Sequence, residues 1–93
     1  MSDPEQTWAT TAELAAAAQV HPATITRWVK LELLPKPEIV NMGRWGRSIR
    51  YPLSAVEQAR WVRTQLERRR SFAEIREMLQ RGDFKPSSSS KDP

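Results

Sequence analysis

Residues 20–30 read VHPATITRWVK, and four of them, Thr24, Thr26, Arg27 and Lys30, are of types that recognise nucleic acid. Arginine grips guanine through two hydrogen bonds or holds a phosphate, and lysine meets a phosphate as a point charge. Threonine offers a hydroxyl and a methyl group that can meet thymine. At 3.6 residues per turn, Ile25, Trp28 and Val29 share one face of a helix, while Thr24, Arg27 and Lys30, joined by Thr26 at the edge, form the other. That second face holds no acid. The helix start adds a partial positive charge and free N–H groups suited to a backbone phosphate. A plain amphipathic surface helix in a basic protein is the competing reading of this segment alone.

Gly43-Arg44-Trp45-Gly46-Arg47 sets two cations around an indole on a backbone loosened by glycine. At the tip of a hairpin such a segment can lie along phosphates or press into a minor groove, with Trp45 stacking on a sugar or wedging at a base step. The alternative for Trp45 is packing back onto the domain. Arg50-Tyr51 follows, where a guanidinium and a phenol can serve one phosphate together or can be half-buried strand residues. Arg68-Arg69-Arg70 at a helix end is first a dipole and solubility feature, which also strengthens nonspecific binding to DNA.

These residues need elements to hold them. Thr10-Thr11-Ala12-Glu13 fits a capping box for a first helix over residues 11–18, burying Leu14, Ala15 and Ala18. Pro22 suits the first position of a second helix running to Leu31, because it has no N–H to leave unpaired. Only Gln19, Val20 and His21 separate the two, which forces a large crossing angle, the geometry of a helix-turn-helix. Pro35 and Pro37 exclude helix, and residues 38–41 and 48–51 bracket MGRWGR as a two-stranded hairpin with a basic tip. Ser54-Ala55-Val56-Glu57 predicts a second capping box for a third helix over 54–69, with Val56, Ala59, Val62 and Leu66 inward. Trp61 lies off that stripe, so it covers a helix seam or forms an exposed patch. Ser71-Phe72-Ala73-Glu74 predicts a third box for a last helix over 72–81, burying Phe72, Ile75, Met78 and Leu79 and stopping at Gly82. Trp28, between Ile25 and Val29, belongs to the core. The expected fold class is mainly α with a small β-hairpin: a winged helix-turn-helix of four helices and a two-stranded wing. Residues 1–7 are expected to form a flexible N-terminus, 8–82 the domain, and 83–93 a disordered Ser-rich tail.

The composition narrows the partner. The chain has 93 residues and a net charge of +4, but residues 26–70 hold eleven cations against four acids, a net of +7, while residues 1–25 carry −3 and 71–93 carry zero. A concentrated positive field points to a polyanion. There is no cysteine, and the single His21 cannot build a metal site alone, so no cofactor is expected. No paired carboxylates, nucleophile–base set or phosphate-cradling glycine loop is present, and no enzyme is expected. No apolar run reaches the length of a membrane span, and MSDPEQT is acidic where a signal peptide is basic, so a cytoplasmic protein without membrane contact is expected.

TTAEL at 10–14, VHPATITRW at 20–28, LLPKP at 33–37, the strand end Arg50-Tyr51, LSAVEQARWV and SFAEIREML, in this order, resemble the MerR-type winged helix DNA-binding domain. The resemblance covers residues 8–82 and is nearest to the short MerR-like and excisionase-like proteins in which this domain stands almost alone. It implies a recognition helix 22–31 in the major groove, with Thr24, Thr26 and Arg27 at base-contact positions; Lys30 joins them as a candidate by its type and its place on the same face. It implies a wing on the flanking backbone or minor groove in which Arg50-Tyr51 match the family's wing pair, implicated in phosphate contact; Arg44, Trp45 and Arg47 complete the wing candidates, 43–51, by their own types. Gln19 and Glu32 stand where the family often has glycine, His21 replaces a common Ser or Thr cap, and Thr26 stands where many members have Arg. No coiled-coil heptads follow Gly82, so a coiled-coil dimer is not expected of this chain. The expected function is sequence-specific binding of double-stranded DNA by a small bacterial or phage transcription regulator, through cooperative self-association on DNA or with a protein partner. An excisionase-like DNA-bending factor and a protein-interaction adaptor are the alternatives.

Overall fold

The computed structural model describes residues 8–85. The expected flexible N-terminus at 1–7, and the Ser-rich tail from residue 86 onward, lie outside the described residues. The elements run β1 (Trp8–Ala9), α1 (Thr11–Ala18), α2 (Pro22–Lys30), β2 (Glu38–Asn41), a 3₁₀ turn (Gly43–Trp45), β3 (Arg47–Pro52), α3 (Ser54–Glu67) and α4 (Phe72–Arg81). Four helices with a wing between the second and third are present as the sequence predicts. The sheet is larger than a hairpin. It has three strands in the order β1-β3-β2, with Trp8 opposite Pro52 and Ala9 opposite Tyr51 in one antiparallel pair. The two-residue β1 carries no alternation to be read, because a periodic signal needs several residues.

Two of the three expected capping boxes close. Thr10 Oγ1 accepts from the Glu13 N–H at 3.0 Å and Glu13 Oε1 accepts from the Thr10 N–H at 2.8 Å; Ser71 and Glu74 repeat the exchange at 3.1 and 2.7 Å. The expected Ser54–Glu57 box does not form. Leu53 takes the cap position with helical angles (φ −59°, ψ −32°) and no side-chain cap bond, so Ser54 is already inside the helix. The strand runs through Pro52 and turns into α3 within one residue, leaving no extended position for a serine cap.

All four helices stop in the same way. At each end a residue in left-handed conformation donates its N–H to the carbonyl three residues back, and the next donates to the carbonyl five back, the Schellman arrangement. The left-handed residues are Gln19 (φ 60°), Glu32 (φ 66°), Arg69 (φ 67°) and Gly82 (φ 87°). The longer bonds are Val20 to Ala15 at 2.9 Å, Leu33 to Trp28 at 2.8 Å, Arg70 to Gln65 at 3.2 Å and Asp83 to Met78 at 2.9 Å. Three of the four positions thus hold a side chain where glycine fits without steric cost.

The core gathers Leu14, Ala15 and Ala18 of α1, Ile25 and Trp28 of α2, Leu33 and Leu34 of the linker, Ala9 and Tyr51 of the sheet, Ala55, Ala59 and Val62 of α3, and Ile75 of α4. Burying a side chain such as Ile25 or Leu33 contributes about 1.5–3 kcal/mol. Val56 and Leu66 flank this core half-buried, and Trp61 half-buried packs beside them with its ring 5.5 Å from that of Phe84, which makes it the cover of a seam. In α4, Ile75 is buried and Met78 and Leu79 are half-buried. Phe72, expected inside, is 36% exposed: it is the first residue of α4, one turn before Ile75 enters the core.

Candidate nucleic-acid interface

The angle between α1 and α2 is set at the turn, and α3 holds that turn. Arg63 Nη1 donates to the carbonyls of Ala18 at 2.6 Å and Gln19 at 3.0 Å, while its other nitrogen meets Glu67 at 3.1 Å. A guanidinium at this helix end satisfies orphan carbonyls and complements the negative pole of α1. Gln58 Nε2 donates to the Leu33 carbonyl at 2.8 Å and ties the far end of α2 to the same helix. Both contacts escape the sequence reading, since 45 residues separate Arg63 from Ala18 and 25 separate Gln58 from Leu33.

His21 starts α2 from an extended conformation, and its Nδ1 accepts from the Ala23 N–H at 3.2 Å. Imidazole thus replaces the usual hydroxyl cap. The Thr24 N–H donates to the His21 carbonyl at 2.8 Å, and Pro22 has no N–H. The free N–H groups expected for a phosphate at this helix start are therefore taken, at Ala23 and Thr24, by His21.

On α2, Ile25 and Trp28 are buried and Val29 is half-buried. The exposed arc consists of Pro22, Ala23, Thr26, Arg27 and Lys30. Thr26 and Lys30 lie near its middle rather than at an edge, and Ala23 joins them, a residue the sequence reading passed over. Its methyl group is of the kind that meets thymine. Thr24 is half-buried and lines, with Val20, Arg27, Trp28, Leu66 and Phe72, an open hollow of about 400 Å³ between α2, α3 and α4. The Arg27 guanidinium lies over the Phe72 ring at 5.9 Å from its centre, so Arg27 rests on α4 at the rim of this hollow.

The wing extends from the sheet with β2 and β3 in the register Glu38–Arg50, Ile39–Ile49, Val40–Ser48 and Asn41–Arg47. Its tip is held by its own backbone: the Met42 N–H donates to the Gly46 carbonyl at 2.7 Å, and the Gly46 N–H to Gly43 at 3.0 Å. Asn41 Oδ1 accepts from the Gly43 N–H at 3.1 Å. Gly43 (φ 64°) and Gly46 (φ 88°) both stand in the left-handed region that the turn requires. Arg44, Trp45 and Arg47 are exposed, with Trp45 at 80%, so of the two readings of this indole the structure shows the outward one.

Arg50 and Tyr51 part company. Successive strand residues point to opposite faces, and Tyr51, only 3% exposed, enters the core beside Ala9 while Arg50 stays at the outer face. Of the two readings of this pair, Tyr51 takes the buried strand place, though it still borders the hollow beside Arg50. On the outer face the Arg50 guanidinium stacks on the Trp8 ring at 4.7 Å, and its Nε donates to Ser48 Oγ at 3.2 Å.

A helix-turn-helix with a basic, acid-free second helix, followed by a wing with cations and an outward tryptophan, defines the class of winged helix DNA-binding domains. Within that class the profile described as MerR HTH family regulatory protein matches residues 9–82, and the chain belongs to this family of DNA-binding transcription regulators. Comparison with curated proteins and with solved structures returned no match. No helix among the described residues is long and apolar enough to cross a membrane.

Proposed function

We propose that this domain binds double-stranded DNA sequence-specifically as the reading head of a small cytoplasmic transcription regulator. In this reading α2 enters the major groove, with Thr26, Arg27 and Lys30 reaching base edges and Thr24 supporting them from the side of the helix. Arg44, Trp45 and Arg47 at the wing tip follow the flanking backbone or minor groove, and Arg50 holds a phosphate. The observation that carries the reading is the exposed arc of α2, which offers two cations, a threonine and an alanine without an acid, on a helix whose preceding turn and following linker are both held by α3.

The test is selection of bound duplexes from a random pool, with the recovered sites sequenced. A defined motif is expected, and its arrangement reports assembly: direct repeats mean head-to-tail association, inverted repeats a twofold dimer. A folded protein that enriches nothing would overturn sequence-specific regulation. The wing supports a second reading, as a protein-docking module. Ile39 and Ile49, opposite each other in register, are 57% and 45% exposed. Loss of DNA binding on substituting Arg27 and Lys30 together, with no loss on replacing both isoleucines by serine, separates the two.

A further inference from the structure

Beside the wing, on the outer face of the sheet, lies an open hollow of about 310 Å³ lined by Trp8, Lys36, Glu38, Arg50, Tyr51 and Pro52. The pairing explains how it is built. Trp8 stands opposite Pro52 and Glu38 opposite Arg50, so β1 and β2 flank the strand that carries Arg50. Trp8 and Arg50 are diagonal neighbours across β1 and β3, a separation that an indole and a guanidinium can span. Two contacts restrain the Arg50 side chain: the Trp8 indole, 4.7 Å from its guanidinium carbon, and Ser48 Oγ on its Nε. A free arginine surrenders rotamer entropy when it binds, and a side chain already held in place surrenders less. The bond to Ser48 uses only Nε, leaving the two terminal nitrogens for a ligand. Lys36, exposed at the same hollow, adds a second cation, and neither it nor Arg50 forms an ion pair with another described residue.

We infer that Trp8 is a positioning residue for DNA: stacked on Arg50, it presents the guanidinium together with Lys36 to one backbone phosphate, so that the short first strand belongs to the nucleic-acid interface. The inference rests on the DNA-binding reading above. Arginine forks match phosphate geometry, and a planar ring beneath the guanidinium fixes the plane of the fork. Glu38 opposes the phosphate in this hollow and sets the contact's strength below that of two unopposed cations.

The experiment is a double-mutant cycle on the full chain, titrated against a short fluorescent duplex of random sequence across a KCl series, with thermal melting of every variant. Arg50→Ala is expected to flatten the log–log salt dependence by about 0.9, one phosphate contact. Trp8→Leu is expected to weaken binding about two- to fivefold, to leave it unchanged in the Arg50→Ala background, and to be rescued by Trp8→Phe. Glu38→Gln is expected to strengthen binding about twofold. A loss from Trp8→Leu of equal size in both backgrounds, or none in either, would overturn the inference while DNA binding stands. A wild-type chain without salt-sensitive affinity for any duplex would overturn the DNA-binding reading and the inference with it.

Discussion

Thr26 and Lys30 head the exposed arc of α2 while Thr24 is drawn to its side, and a difference of this kind follows from packing rather than from helical spacing. Spacing gives the angles between residues, but the direction in which the helix faces is set by Trp28 and Ile25 seeking the core, and by Phe72 and Leu66 closing on Thr24. The candidate residues were legible by type, and their rank was not. Arg27→Ala is therefore expected to cost about 1–3 kcal/mol at the selected motif and much less on random duplexes, as read by competition titration. An equal loss on both would make Arg27 a backbone contact. Trp45 touches the domain little, so Trp45→Ala is expected to leave the melting temperature within the effect of about 0.5 kcal/mol while weakening DNA binding. Tyr51 behaves in the opposite sense. Its removal from the core is expected to cost about 3–5 kcal/mol of stability, measured by denaturant titration, before any effect on DNA can be read.

At the level of elements, the capping boxes at Thr10 and Ser71 were readable because each lies at an extended residue just before an apolar stripe. The one at Ser54 shows the same letters in a different setting, since a strand turning directly into α3 removes the extended position. Local pattern named the helix but not its first residue. Ser71→Ala is expected to cost about 1 kcal/mol. The helix ends permit a prediction of opposite sign. Gln19→Gly, Glu32→Gly and Arg69→Gly are each expected to raise stability by up to about 1 kcal/mol, because each relieves a side chain held at positive φ, and Gly82→Ala to lower it by a similar amount. Thermal melts of the four variants check both signs.

For the molecule as a whole, the charge distribution was plain in the sequence, with +7 between residues 26 and 70, and it pointed to a polyanion without naming one. How those cations are shared out was not legible. Arg63 serves the helix turn, Arg70 donates to the buried Gln65 at 3.0 Å, and Arg27 and Arg50 rest on aromatic rings. Each of these partners depends on how the chain folds back on itself, which composition does not record. Two cations remain at the wing tip, and Arg44→Ala with Arg47→Ala is expected to flatten the salt dependence of binding by about 1.8 without altering the motif selected.

That wing tip also has a consequence in time. A Cβ added at Gly43 or Gly46 would meet no atom within 4 Å, so nothing packs against these positions and the turn's shape rests on four hydrogen bonds within residues 41–46. Segments held in this way open at little free-energy cost, whereas amides under Ile25, Leu33 and Val62 open only with the domain. Amide exchange is thus expected to be fast at residues 42–46 and slow in α2. Under the proposed function, a still α2 would engage a site first, and a wing tip that opens at low cost would settle on the flanking DNA afterwards.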